Sequence, residues 1–317
     1  MSGPVPAGEP TPAQYRNPFA RYFAATRPAF LSATLVACLL GLAVAHHSGV
    51  AVAPGLALVT VLLGLLAHAA ANVLNDYYDA KNGTDACNTA RVFPFTGGSR
   101  FIQNGVLSLS DTARYGYTLL AATALGGLWL AHRSGPGLLL IGAFGLFIGW
   151  AYSAEPLKLN ARGLGECCVI AGFLGIVTGA DYVQRAAFST APLQIGLPYA
   201  LLVMNLLYIN QFPDREADAL AGKRHWVVRL PLPLAAKLYA LVAGVALGVL
   251  LALVQHGTLP ALALVSAAPM LLALSAAGML RRHAAQPAGL LPAIRLTIAA
   301  MLAHGILLAS SLAWDAA

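Results

Sequence analysis

Charge is what this sequence has least of: 10% of its 317 residues are Asp, Glu, Lys or Arg, and only 12 are acidic, against 58% hydrophobic and a mean hydropathy of +0.71. So little charge cannot cover a water-exposed surface, which excludes a soluble domain built round one core. Cysteine is scarce too. Of the four, Cys38, Cys167 and Cys168 fall in or beside apolar stretches and Cys87 in a polar loop, which excludes a disulfide framework. No second His or Cys stands at zinc-ligand spacing from His225 or His304, so both read as packing or rim residues. The chain also opens without a basic region, short apolar run and cleavage site of the secretory kind. Residues 1–16, rich in Pro, Gly and Ala, therefore read as a disordered tail, residues 17–317 as a single transmembrane domain, and the first helix as retained.

What is present is apolar length. A bilayer-crossing helix needs about 20 residues, and nine stretches come close to or exceed that, at 29–46, 50–75, 113–132, 136–153, 164–182, 192–212, 232–254, 259–280 and 289–312. They predict an all-α polytopic membrane bundle of nine transmembrane helices. The glycines of residues 142–149 predict the close helix approach that small residues allow in membranes. With the N-terminus cytoplasmic, all but Arg133 and Arg185 of the 19 Lys and Arg fall on the cytoplasmic side, and the C-terminus falls on the opposite side. The net charge of +7 is then a topology signal with some attraction to anionic lipid heads, and not a nucleic-acid footprint. Arg21 and Arg27 among the aromatics of residues 17–30 read as an amphipathic helix on the inner leaflet.

Carboxylates are rare but clustered. Residues 49–71 carry no charge apart from titratable His68, and then Asn72, Asn75, Asp76, Asp79 and Asp85 arrive together. On a continuing helix the first four recur at i, i+3/i+4 and i+7 and share one face. Asn-Gly at 82–83 favours positive φ, so the chain should turn there and bring Asp85 back toward Asp76 and Asp79. A second cluster, Asn210, Asp214 and Asp218, ends the sixth apolar stretch. Both stretches run in the same direction with a four-helix interval between them, which predicts two four-helix units plus one helix and a common cavity at the two acidic ends. Two such clusters could hold Mg2+ against a phosphate-bearing ligand, since Mg2+ takes oxygen ligands and completes its shell with substrate phosphates. The alternative is a pair of solvated helix ends.

Other polar residues surround these clusters. The loop with Arg91, Gly97, Gly98, Arg100 and Gln103 combines exposed backbone N–H groups with a guanidinium fork, which is anion-binding chemistry. Lys158 and Arg162 either reach a diphosphate or simply set topology, and Lys223 and Arg224, so close to two carboxylates, fit either a diphosphate–Mg2+ site or a surface ion-pair group. Glu166 reads as a carboxylate favoured at a helix N-terminus. Pro213 is expected to break or kink the sixth helix, so that Asp214 begins a fresh turn and Asn210 stands in doubt as its neighbour. Tyr77, Tyr78, Tyr152 and Tyr208 offer aromatic faces for a cation or interfacial anchors.

Residues 72–85 resemble the first aspartate-rich motif of the UbiA superfamily of membrane prenyltransferases, and residues 210–224, N-Q-F-P-D-x-x-x-D-x-x-x-G-K-R, resemble the second. Arg27-Pro28, Tyr152-Ser153, Pro156-Leu157-Lys158 and residues 163–166 fit as well, so the resemblance covers nearly all of the chain after residue 20. The NDYYD form and the loop GGSRFIQNG are similar to the 1,4-dihydroxy-2-naphthoate polyprenyltransferases, with Cys87-Asn88-Thr89 departing from the usual charged run. The resemblance implies Mg2+ held by Asp76, Asp79, Asp85, Asp214 and Asp218 against an isoprenyl diphosphate. It also implies diphosphate contacts from Asn72, Asn75, Arg100, Lys158, Asn210, Lys223 and Arg224. Tyr152 and its neighbours would stabilise an allylic cation that an aromatic acceptor attacks, with loss of carbon dioxide and a proton for a naphthoate. A terpene cyclase on the same fold and, more remotely, a secondary transporter are the rival readings.

Overall fold

Proline sets where many of the helices start, because its fixed φ and missing N–H cost nothing in a first turn. The computed structural model describes residues 8–315. Pro18 opens α1 (Pro18–Ala25) behind Asn17, whose Oδ1 accepts from the Phe19 N–H at 2.8 Å. Pro28 opens α2 (Pro28–His47) and Pro54 opens α3 (Pro54–Lys81). There follow α4 (Thr84–Cys87), α5 (Leu109–Ser134), α6 (Gly137–Ala151), α7 (Gly165–Arg185), α8 (Ala191–Leu220), α9 (Trp226–Arg229), α10 (Leu232–Gln255), α11 (Met270–His283) and α12 (Leu291–Asp315). No strand occurs among the described residues. A helix stands at each expected apolar stretch. Seven of them, counting the 3-10 turns that lead into α11 and α12, are long and apolar enough to cross a membrane; α5 is more polar and α6 has only 15 residues.

Consecutive long helices pack side by side from α2 and α3 round to α11 and α12, and α12 closes the ring against α2. α2 also packs on α7, across the ring. Tyr199, Tyr208 and Tyr239 are fully buried there, and each hydroxyl is satisfied: Tyr199 donates to the Ala33 carbonyl at 2.8 Å, Tyr208 to that of Ala235 at 3.2 Å, and Tyr239 pairs with Thr297 Oγ1 at 2.6 Å. Without water, an unpaired hydroxyl would cost several kcal/mol, roughly the transfer penalty of that group. The outer surface is the reverse of a soluble protein's: Leu58, Leu62, Leu125, Leu140 and Phe144 are exposed. This is a multi-pass integral membrane protein.

Three expectations are corrected. Residues 1–7 of the expected tail lie outside the described residues, but residues 8–16 lie against the loop after α4, with Glu9 buried beside Arg91 and the Tyr15 ring 4.9 Å from that of Phe101. A carboxylate that pairs in a buried place gives a Pro- and Gly-rich segment a fixed path. Pro213 does not break α8, which runs unbroken to Leu220. Bonds from outside the helix hold its last turns, including Arg215 Nε to the Val227 carbonyl at 3.0 Å, and offset the hydrogen bond that proline removes. Gly142 and Gly145 meet no neighbouring atom within 4 Å, so the close approaches lie elsewhere. At Gly41 a Cβ would fall 2.3 Å from the Val177 carbonyl oxygen, where α2 crosses α7.

Gly41→Val should therefore destabilise the bundle by about 2 kcal/mol through overpacking, while Gly142→Ala should be neutral. Melting in detergent measures both, and equal Tm values for the two variants would refute the close crossing.

Candidate active site

The site is built where α3 and α8 end. α3 continues through Asn72, Asn75, Asp76 and Asp79 because these residues keep helical bonds while facing inward, and it stops at Asn82 and Gly83. Gly83 has φ 82°, and the Asn82 Oδ1 accepts from the Thr84 N–H at 3.0 Å. The chain turns back there, as Asn-Gly predicts, and buries Asp85 at 3% exposure. Gly98 shows how near the carboxylates come: a Cβ on it would lie 2.8 Å from Asp85 Oδ2 and 3.0 Å from Asp76 Oδ1. Its φ of 72° and its bare Cα are both required. On the unbroken α8, Asn210, Asp214 and Asp218 stand at four-residue intervals and share a face.

The two acidic ends meet across a cavity of about 350 Å³. Asp79, Asp85, Asp214, Asp218, Lys223 and His225 form its polar end, and Phe30, Ile148, Phe173, Ile176 and Leu207 line the apolar remainder. Gly145 and Gly149 of α6 lie on its wall, so the glycines that sequence assigned to helix contact make room instead. Lys223 Nζ sits between the ends, 2.9 Å from Asp79 Oδ2 and 3.2 Å from Asp218 Oδ1. Burial works against its charge, but Asp79 and Asp218 outweigh that and push its pKa up. His225 Nε2 lies 2.9 Å from the other Asp218 oxygen. Asp214 is held by Asn88 Nδ2 at 2.6 Å and the Gly97 N–H at 3.3 Å. Asn75 Nδ2 donates to Ser153 Oγ at 2.9 Å and Asp79 Oδ2 at 3.2 Å. Burial first, then Asp79 and Asp76, hold the Asp85 carboxyl well above its usual range, against Lys223 and Arg100.

Of the residues singled out in the sequence, Asn72, Asn75, Asp79, Asp85, Tyr152, Asn210, Asp214, Asp218 and Lys223 line this cavity. Asp76 lies just behind it, both oxygens 3.2 Å from the Ser99 N–H. Three cations do not line it. Arg100 turns to the Asp85 carbonyl and Glu9, Lys158 pairs with Glu155 at 2.6 Å, and the Arg224 side chain is exposed while its N–H donates to the Ala161 carbonyl. Each has a nearer partner than the cavity. Glu166 is buried at the start of α7 and accepts from Gln211 Nε2 at 3.1 Å. Sequence reasoning missed the inward roles of Asn88, His225 and Arg27; Arg27 has φ 55°, lies 4.4 Å from the Phe30 ring and donates to the Phe95 carbonyl at 3.3 Å. Their signals were adjacency to Asp85, to Lys223 and to Pro28.

The donor set fits a hard divalent cation. Asp79 Oδ1, Asn88 Oδ1, Asn210 Oδ1 and Gln211 Oε1 are buried oxygens without a hydrogen-bond partner, and Mg2+ prefers such ligands. Among the described residues no three Asp, Glu, His or Cys side chains already converge on a metal-sized point. The protein thus offers a divided oxygen set that another ligand must complete.

Apolar-surfaced helices around a cavity with carboxylates gathered at one end define a multi-pass membrane protein with an acidic site at the ends of its helices. The chain belongs to the UbiA prenyltransferase family, whose model matches residues 34–309. It is 30% identical over 210 residues to 1,4-dihydroxy-2-naphthoate octaprenyltransferase of Bacillus subtilis, covering 63% of this chain and 62% of that one. Against UbiA prenyltransferase domain-containing protein 1 of Homo sapiens it is 28% identical over 212 residues, 66% of this chain and 60% of the other. The matches thus span about three fifths of these relatives' lengths. In fold it is similar to a UbiA homologue of Aeropyrum pernix K1, with TM-score 0.64, 17% identity and coverage of 86% and 96%. It is also similar to one of Archaeoglobus fulgidus bound to DMAPP and Mg2+, with TM-score 0.58, 16% identity and coverage of 92% and 99%.

Lys223→Met should leave Asp79 and Asp218 facing each other without a counter-charge. A loss of about 3 kcal/mol is expected for a broken buried pair, read as a lower Tm in metal-free detergent; an unchanged Tm would remove Lys223 from its bridging role.

Proposed function

We propose that this protein is a Mg2+-dependent prenyltransferase that moves an isoprenyl group from a polyprenyl diphosphate to an aromatic acceptor, 1,4-dihydroxy-2-naphthoate. The observation that carries the reading is the division of one cavity into a carboxylate end with orphaned oxygens and an apolar length, which matches a diphosphate head on a hydrocarbon tail. The named relative from Bacillus subtilis supports the acceptor, and the Archaeoglobus fulgidus homologue bound to DMAPP and Mg2+ supports donor and metal. In this reading Asp79, Asp85, Asp214 and Asp218, with Asp76 behind them, would hold Mg2+, which would supply positive charge against the leaving diphosphate.

The chain's own residues do the rest. Lys223, at the seam of the two ends, and Arg27, at the cavity wall, place fixed positive charge where the diphosphate departs, so the carbon–oxygen bond breaks with its electrons on oxygen. Tyr152, Phe30 and Phe173 present aromatic faces to the allylic cation that remains. The apolar walls exclude water, so the cation meets the electron-rich acceptor carbon and forms a carbon–carbon bond, after which the ring loses a proton and the carboxyl group leaves as carbon dioxide. Asn72, Asn75 and Asn210 orient the head group.

The proposed topology has nine transmembrane helices in two four-helix units plus α12, with the N-terminus and site cytoplasmic. The distribution of Lys and Arg supports it, as does the meeting of the loops after α3, α6 and α8 at one end: Asn88 bonds Asp214, and Trp226 Nε1 donates to the Gly163 carbonyl at 2.9 Å. His47 and Asp315 pair at the other end, 3.5 Å apart.

Product mass spectrometry tests the reaction, with purified protein, Mg2+ and geranyl or longer diphosphates, and dihydroxynaphthoate, hydroxybenzoate, homogentisate or no acceptor in parallel. A prenylated, decarboxylated naphthoquinol is the expected product; cyclised terpene from donor alone would sink the acceptor step. Asp214→Asn should lower turnover about a hundredfold or more, the scale of a lost transition-state electrostatic contact, with the variant still folded. Near-native turnover at saturating Mg2+ contradicts the site.

A further inference from the structure

Glu9 precedes every helix, yet it is only 4% exposed. One carboxylate oxygen accepts from Arg91 Nε at 2.6 Å, and the other accepts from Asn104 Nδ2 at 3.0 Å and lies 3.7 Å from Arg100 Nε. Asn104 Nδ2 also reaches the Pro10 carbonyl at 3.0 Å. The segment is tied down on its far side as well, where the Tyr15 carbonyl accepts from Arg21 Nε at 2.9 Å.

Among the described residues, Glu9's side-chain partners all lie in the loop of residues 88–104, which also supplies the donors that hold both acidic ends. Asn88 Nδ2 and the Gly97 N–H bond Asp214, and the Ser99 N–H bonds Asp76. Arg91 joins the two sets of contacts, because the guanidinium that pairs with Glu9 also donates to the Asn88 carbonyl. Arg100 makes a second link, since it donates to the Asp85 carbonyl. The loop has little slack: a Cβ on Gly97 would lie 2.7 Å from Arg91 Cδ. Glu9 is the counter-charge that lets Arg91 and Arg100 sit side by side while each grips the backbone beside a site residue.

We infer that Glu9 is a positioning residue of the active site: through Arg91 and Arg100 the N-terminal segment clamps the 88–104 loop, so that Asn88 and Gly97 fix Asp214 at the cavity and Ser99 fixes Asp76 just behind it. The kinetic consequence rests on the prenyl-transfer reading; the clamp itself does not. Residues behind a site's carboxylates hold them in place, and losing such support typically costs about 10–100-fold in metal affinity or activity.

The test uses full-length protein carrying Glu9→Gln, Glu9→Asp, or the exchange Glu9→Arg with Arg91→Glu, in lipid nanodiscs. In Glu9→Gln, trypsin should cut after Arg91 or Arg100 about tenfold faster, and Mn2+ affinity by electron paramagnetic resonance should fall about tenfold. The donor KM should rise by a similar factor, with kcat held within about threefold. Glu9→Asp should restore part of each, and if Glu9→Gln fails to fold this milder variant carries the same comparison. In the charge exchange, which itself removes the site after residue 91, cleavage after Arg100 should again be slow. Unchanged cleavage overturns the clamp. Faster cleavage with unchanged Mn2+ affinity and KM overturns positioning and leaves only a structural tie. If wild-type protein transfers no prenyl group, the prenyl-transfer reading fails while cleavage and Mn2+ binding still decide the role of Glu9.

Discussion

A buried ammonium between two carboxylates is the contact on which the site depends. Lys223 joins Asp79 in the last turns of α3 to Asp218 in the last turn of α8, two carboxylates far apart in sequence that share this one ammonium. Charges removed from water demand partners, and in a protein this poor in charge the partners are few. The same demand explains the contacts round it: His225 on Asp218, Asn88 and Gly97 on Asp214, Ser99 on Asp76. What is left over is oxygen, on Asp79, Asn88, Asn210 and Gln211, and a surplus of that kind suits a hard cation.

Much of this was legible because the bilayer is an unforgiving solvent. Carboxylates at the ends of long apolar runs stand out against a background in which charge is costly, so Asp76, Asp79, Asp214 and Asp218 could be found by position alone. The turn at Asn82 and Gly83 was legible for a local reason, positive φ, and it returned Asp85 to the cluster. The helix count was less so. Apolar length marks where a helix stands, but α5 and α6 show that polarity and length do not always agree on whether it crosses.

What stayed hidden was settled by distant partners. Arg100, Lys158 and Arg224 looked alike as cations near a phosphate site, yet Glu9, Glu155 and a backbone turn draw them elsewhere. Pro213 obeyed no local rule, because contacts from the loop after α8 hold the helix through it. Glycines in α6 carried the usual mark of tight packing and instead border the cavity, while the true close crossing, at Gly41, had no pattern to announce it.

The closing of the ring, α12 against α2, bears on how the protein is made. A chain leaves the ribosome N-terminus first, so α2 enters the membrane before its last neighbour exists. Until α12 arrives, the flank of α2 that bears Val36, which closes on Gly305 in the finished bundle, must be wetted by lipid. The wall therefore closes only when α12 joins it, and a nascent protein arrested before α12 would carry both acidic ends in a bundle with one side still missing.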